Sequence, residues 1–267
     1  MKTSATSAGP LPLTAVQAEE MLQRHIKKHH IAIILLHWFN ASVWLLELLT
    51  GAALISSALF RFTPVWYLSL VEGVFGTRGN MLQFHIALGL TWIGVYLVYG
   101  VFGFRTYLSA EVLQREIALD QDDYRWLIVR VQGILGLTKE PLPPQGVYNA
   151  GQKLFALMVY VTVPMVMITG IIMTFRLFGP PVVGWAVVLH FAAVGAVVCG
   201  LIVHVYMGAV FPEEKPAFFS MITGTVNELY AYNHHFKWWT AMKTEQRAWD
   251  RRHDHEAQPA PEASIPD

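Results

Sequence analysis

The chain has 267 residues, 54% of them hydrophobic and 14% charged, with a mean hydropathy of +0.39; a soluble domain carries about a quarter charged residues, so composition points to a membrane protein. The formal net charge is zero, which removes the electrostatic case for nucleic-acid binding. The single cysteine, Cys199, excludes an intrachain disulfide framework, a four-cysteine iron–sulfur cluster on this chain and a CxxCH haem attachment.

Residues 1–30 read as a flexible cytoplasmic leader. Their first part is rich in Ser, Thr, Ala and Pro, contains Glu19–Glu20, and lacks the apolar run of a signal peptide. Four stretches then reach the roughly 20 apolar residues a membrane helix needs: about Ile31–Leu59, Met81–Phe104, Leu154–Leu177 and Val182–Phe211. Each must be helical, because lipid offers backbone polar groups no partner. Pro164 is expected to kink the third span, and Pro180–Pro181 to punctuate the link to the fourth. Between the second and third spans, the loop 105–148 holds an amphipathic stretch, Asp123 to Leu137, opened by Asp120–Asp123 and expected to lie on the inner membrane surface. Residues 212–252 form a cytoplasmic C-terminal segment, and 253–267 a polar, Pro- and Ala-rich disordered tail.

The leader, the middle segment up to Lys153 and the C-terminal segment carry 16 of the 19 Lys and Arg; the other two loops carry only Arg61, Arg78 and Arg176. The positive-inside rule therefore puts both termini and the middle loop in the cytoplasm. Trp66 and Trp185 suit an outer aromatic belt, and Trp126, Trp238 and Trp239 an inner one. The fold class expected is all-α: an integral membrane bundle of four transmembrane helices over residues 31–211.

Four of the 11 histidines lie inside spans: His37, His85, His190 and His204. Ionisable residues are expensive there, so each is a functional candidate. With alternating span directions they sort by depth into an outer pair, His85 with His190, and an inner pair, His37 with His204. His190 and His204 are 14 residues apart, about 21 Å of helical rise with a rotation about 40° short of full turns, so both point to nearly one face. Opposed imidazoles at each depth suit two haems b held through iron, since imidazole is a normal axial ligand. Gly51 and Gly89 would let a macrocycle lie against a helix backbone. Interhelical hydrogen-bond glue and a proton relay are the competing readings, the latter weakened because Glu47 is the only acid deep in a span. Glu47 stands about 80° round the helix from His37, where a charge costs about 2.5–3.5 kcal/mol or more; protonation, water or a haem edge would each relieve it.

The third span opens on Tyr148–Lys153, YNAGQK. Asn149 with Gln152 fits a capping box. The same residues fit a quinone head-group site, with amide donors from Asn149 and Gln152 and backbone N–H groups exposed by Gly151 at a helix N-terminus.

Together these residues resemble the gamma, or cytochrome b, subunit of membrane-bound, quinone-linked formate dehydrogenases. The resemblance covers about Ile31 to Trp239. It rests on His37-Trp38 with Gly51, on His85 with Gly89, on YNAGQK, on His190 and His204 followed by Tyr206-Met207, and on Gly224 with His234-His235 before Trp238. It implies two haems b, one on His85 and His190 and one on His37 and His204, and a menaquinone or ubiquinone site lined by Asn149, Gly151 and Gln152. It also implies an iron–sulfur beta subunit and a molybdenum or tungsten alpha subunit outside a bacterial inner membrane. Glu47, the position of Gly195 and the longer loop and termini depart from the family pattern. The function expected is electron transfer from a periplasmic iron–sulfur subunit through both haems to quinone at the cytoplasmic side, with no formate-oxidising site on this chain. Cytochrome subunits of hydrogenases or of thiosulfate or polysulfide reductases, and a haem-free membrane anchor, are the alternatives.

Overall fold

The computed structural model describes residues 9–56, 63–103, 114 and 116–257. The chain divides into two compact units. The larger comprises Lys27–Ala118 with Gln152–Thr225, and the smaller Met1–Ile26, Leu119–Gly151 and Val226–Asp267.

The larger unit holds four long helices: α2 (Ile31–Ile55), α4 (Arg78–Gly103), α6 (Ala150–Phe175) and α7 (Pro180–Val205). At 25 or 26 residues each and about 1.5 Å per residue, they exceed the roughly 30 Å hydrocarbon core. The four-span, all-α expectation holds, with ends shifted by a few residues; Leu59 and Phe104 lie outside the described residues. Leu35, Leu45, Leu97, Val161, Ile168 and Ile202 on these helices are exposed, as side chains that meet lipid rather than water must be. Inside, Val43, Trp92 and Val163 form a buried cluster flanked by Trp44, Leu88 and Val159. The indole of Trp92 donates to Asn40 Oδ1 at 2.7 Å, so the buried polar groups of two helices satisfy each other.

The helix ends follow local chemistry. His30 caps α2, its Nδ1 accepting from the Ala32 N–H. Helix α6 runs through Pro164 unbroken. Pro180 and Pro181 open α7 instead of lying in the link before it, since a missing N–H costs nothing in the first turn. The link is only Arg176–Gly179, turned by positive φ at Arg176, Phe178 and Gly179. Beyond α7 comes a π-helical turn, Tyr206–Val210, then a 3-10 turn, Pro212–Glu214, and helix α8 (Lys215–Thr223). A short apolar helix, α3 (Val65–Phe75), precedes α4. Neither α3 nor α8 was expected, since both are too short to register as spans.

In the smaller unit, residues expected as flexible leader include a capped helix, α1 (Ala15–Gln23), in which Thr14 and Gln17 form a capping box and Met21 is buried. One buried apolar residue and a satisfied cap tie down a segment that composition alone leaves loose. Asp120 and Asp123 do open a helix, α5 (Gln121–Ile134), through a capping box. Its exposed Tyr124, Ile128, Val131 and Leu135 make the stripe an interfacial helix presents. Helices α9 (Glu228–His234) and α10 (Phe236–Ala257) complete the unit. The tail expected from His253 overlaps the last turn of α10, and residues 258–267 lie outside the described residues. Two short strands, β1 (His25–Lys27) and β2 (Thr225–Asn227), pair. The Glu228 N–H donates to Arg24 O and the Lys28 N–H to Gly224 O, an antiparallel register. Burial pulls the Lys28 ammonium down to about 8, partly opposed by Glu214.

Candidate functional site

The expected inner pair meets. His37 lies in the second turn of α2 and His204 at the end of α7, and their ring centroids stand 6.4 Å apart with planes inclined at 55°. An imidazole nitrogen binds a transition metal at about 2 Å, so two rings on opposite sides of one ion stand with centroids about 6 Å apart. The observed spacing admits one metal between them. His204 is held from behind by Phe155 of α6, stacked at 4.8 Å and 11°. His37 packs edge-on against Trp38 at 5.3 Å, and the Trp38 indole donates to Met221 O. The π turn starts two residues after His204; such turns often mark functional sites.

The expected outer pair is built twice from one local motif. His85, on α4, has Nδ1 2.8 Å from Thr50 Oγ1 on α2. His190, on α7, has Nδ1 2.9 Å from Thr169 Oγ1 on α6. Each threonine hydroxyl also bonds the carbonyl four residues back, Thr50 to Leu46 and Thr169 to Met165. Each is followed by a glycine. A Cβ at Gly51 would lie 3.3 Å from His85 Cε1, and one at Gly170 would lie 3.6 Å from His190 Cε1. Both rings are thus anchored through Nδ1, so Nε2 is the nitrogen each could offer to a metal.

Glu47 completes one copy of the motif. Its Oε2 is 2.5 Å from His85 Nδ1, so this acid reaches a histidine on a neighbouring helix. Gly51 leaves room for an imidazole of α4, where a macrocycle was expected. Gly89, one turn after His85, faces Glu47 Oε1, 3.6 Å from where its own Cβ would stand.

These residues fit a haem. Besides the 6.4 Å gap and the glycine cradles, His37 Nδ1 and Glu47 Oε1 are buried without a hydrogen-bond partner among the described residues, a condition native proteins rarely leave uncompensated. The donor set, two imidazoles facing across a gap, suits a metal whose other ligands come from a macrocycle.

At the opening of α6, the smaller unit places Asn149 and Gly151 against Trp126: a Cβ at Gly151 would lie 3.4 Å from Asn149 Oδ1 and 3.7 Å from Trp126 Cζ3. The first helical N–H, that of Ala150, donates to Gln145 Oε1 at 2.7 Å. Gln145 thus satisfies one of the first N–H groups of the helix. His235, fully buried, bonds Gly146 O through Nδ1 at 2.7 Å. In the larger unit, Gln152 follows directly, and the Lys153 ammonium donates to Ala118 O at 3.3 Å.

Sequence reasoning missed Thr50, Thr169, Gly170 and Phe155. A signal existed for the first three: the dipeptide Thr-Gly recurs at 50–51 and 169–170, each late in a span, at the depth of a histidine.

The chain is 23% identical over 218 residues to the cytochrome b556 subunit of formate dehydrogenase from Haemophilus influenzae, covering 80% of this chain and 82% of that one. It is 27% identical over 128 residues to the cytochrome b556 subunit of the nitrate-inducible formate dehydrogenase of Escherichia coli, covering 46% and 57% of the two chains. A further Escherichia coli formate dehydrogenase cytochrome b556 subunit is 22% identical over 219 residues, covering 79% and 92%. The pattern of the prokaryotic cytochrome b561 family matches residues 28–224, which hold every span and all four span histidines, and the chain belongs to that family: it is an integral membrane cytochrome b, a haem b protein of electron transport.

Proposed function

We propose that this cytochrome b holds two haems b, one between His85 and His190 and one between His37 and His204, and passes electrons from a partner outside the membrane to a quinone at the cytoplasmic side. Two b haems at different depths supply one-electron carriers spanning the bilayer. The observation that carries the reading is the facing of His37 and His204, from different helices, at 6.4 Å. The twin Thr–His anchors support the second pair.

The quinone, menaquinone or ubiquinone, binds at Asn149, Gly151 and Gln152. Support comes from the opening of α6: its first turn carries Gly151 and Gln152, and one turn later the same helix carries Phe155, stacked on His204. A helix N-terminus favours the negative charge that develops on a reduced quinone, and amide groups donate to its carbonyls.

The chain sits in a bacterial inner membrane with both termini in the cytoplasm, following its Lys and Arg distribution. Relatives named as formate dehydrogenase subunits support a periplasmic iron–sulfur subunit as donor and a molybdenum or tungsten subunit as the catalytic partner. Moving one charge inward against 100 mV requires about 2.3 kcal/mol, which the redox couple supplies.

The test is His204→Ala in the complex purified from membranes. It should lose one of two haems and all quinone reduction, while substrate oxidation with an artificial acceptor continues. Retention of both haems would remove the ligand assignment. Mass spectrometry of the co-purified subunits identifies the donor.

A further inference from the structure

The two outer-pair anchors form an internal comparison. On α2 the order is Glu47-Leu48-Leu49-Thr50-Gly51, and on α6 it is Val166-Met167-Ile168-Thr169-Gly170. Both threonines bond a histidine Nδ1 at 2.8–2.9 Å, and both bond the carbonyls three and four residues back. Both glycines face the same histidine's Cε1. The copies differ at the residue three before the threonine: a carboxylate on α2, an isopropyl group on α6.

That carboxylate lies 2.5 Å from His85 Nδ1 and is mostly sheltered, its side chain 18% exposed. It is the only Asp or Glu in the four spans. Placing it there works against the cost of burying an acid in a membrane, and the hydrogen bond from His85 offsets part of that cost. A carboxylate that accepts from the outer nitrogen of a metal-bound imidazole raises the ligand's basicity. In surroundings of low dielectric, its charge also acts strongly over so short a distance. Both effects favour the ferric over the ferrous state, and hydrogen bonding around the axial ligand is one of the levers by which a protein sets haem potential.

We propose that Glu47 is a positioning residue that acts through His85 to lower the reduction potential of the outer haem below the value its Thr50 anchor alone would give. The inference rests on the assignment of His85 and His190 as ligands. The spans place no such carboxylate beside His37 or His204, so Glu47 lowers the outer carrier relative to the inner one. An outer carrier of lower potential makes electron flow from outside to inside downhill.

The experiment is a redox titration, followed in the visible spectrum, of the purified two-haem protein and of its Glu47→Val and Glu47→Gln variants. Glu47→Val reproduces the α6 copy of the motif. It should keep both haems and make one at least tenfold easier to reduce, 59 mV for one electron, with the other unmoved; Glu47→Gln should fall between. The same shift should appear when Glu47→Val is added to His204→Ala, which keeps only the outer haem. Two bound haems with unmoved potentials in both variants would overturn the proposal and leave the ligand reading intact. Loss of the outer haem from both variants would also overturn it, by making Glu47 a requirement for binding and not a setting of potential. Wild-type protein with fewer than two haems would instead count against the ligand reading itself.

Discussion

Phe155 lies flat on the ring of His204, and Gly200 is what admits it. A Cβ at residue 200 would stand 2.5 Å from Met158 Cε and 2.9 Å from Phe155 Cδ2. The methionine end can swing away, whereas an aromatic ring stacked at 4.8 Å moves only by moving what it rests on. Gly200→Ala should therefore tilt His204, at a cost of about 1–3 kcal/mol typical of overpacking. On the proposed pairing of two haems, the absorption of the one at His204 should shift or its content fall, with the one at His85 and His190 retained. A two-haem spectrum and detergent thermal stability both equal to wild type would contradict this.

The outer glycines allow a graded version of the same test. A Cβ at residue 51 meets His85 Cε1 at 3.3 Å, tighter than ordinary contact, and one at 170 meets His190 Cε1 at 3.6 Å, which is ordinary. Gly51→Ala should disturb the outer haem's spectrum, and Gly170→Ala should leave it nearly unchanged. Electron paramagnetic resonance of the oxidised protein reads ligand-plane orientation directly. Equal effects of the two substitutions would mean that the cradles do not set the ring positions.

What could be read from the residues alone divides along physical lines. The four spans were legible because hydrocarbon demands long apolar helices, and the histidines because imidazole is costly there. The meeting of His37 with His204 was legible from depth. Glu47 was noticed but its partner was not, since a rotation about one helix axis cannot say which neighbour stands opposite. Thr50 and Thr169 escaped because a threonine that bonds its own helix carbonyl is ordinary inside a membrane, and only the neighbouring helix makes it an anchor. Phe155 and Gly200 act as a pair across two helices, so neither is informative alone. Helix α3 was missed because 11 residues fall short of any span criterion, and α1 because a single capping box is a weak signal.

The threonine anchors differ in what backs them up. His190 has Thr169 at Nδ1, whereas His85 has both Thr50 and Glu47. A hydrogen bond of this kind contributes about 1 kcal/mol, and losing a partner behind a metal-bound histidine costs about 10–100-fold in affinity. Thr169→Val should thus weaken outer-haem retention more than Thr50→Val. Loss of haem to an excess of a haem-scavenging apoprotein, timed for both variants, measures it. Faster loss from Thr50→Val would show that Glu47 gives no independent support to His85.

Glu228 makes the smaller unit sensitive to acid. Its carboxylate is 2% exposed and receives the Lys243 ammonium at 2.7 Å, the Arg24 guanidinium at 3.1 Å and the Trp239 indole at 2.9 Å. Burial pushes its pKa up, but the bonds from Lys243 and Trp239 and the charges of Lys243 and Arg24 outweigh it, and the result lies below 4.5. A carboxylate with a depressed folded pKa stabilises fully above its unfolded value, and that contribution is lost as pH falls through the folded one. The unit should therefore loosen below about pH 4.5 and not on the alkaline side. Glu228→Gln removes the charge while keeping an acceptor for Trp239. It should cost about 1.5–3 kcal/mol, the worth of hydrogen bonds to a charged group, because Arg24 and Lys243 can turn to water. Hydrogen exchange of peptides spanning α9 and the start of α10 should be faster in the variant at neutral pH and should converge with wild type in acid. A difference that persists in acid would assign the stabilisation to shape and packing instead of to charge.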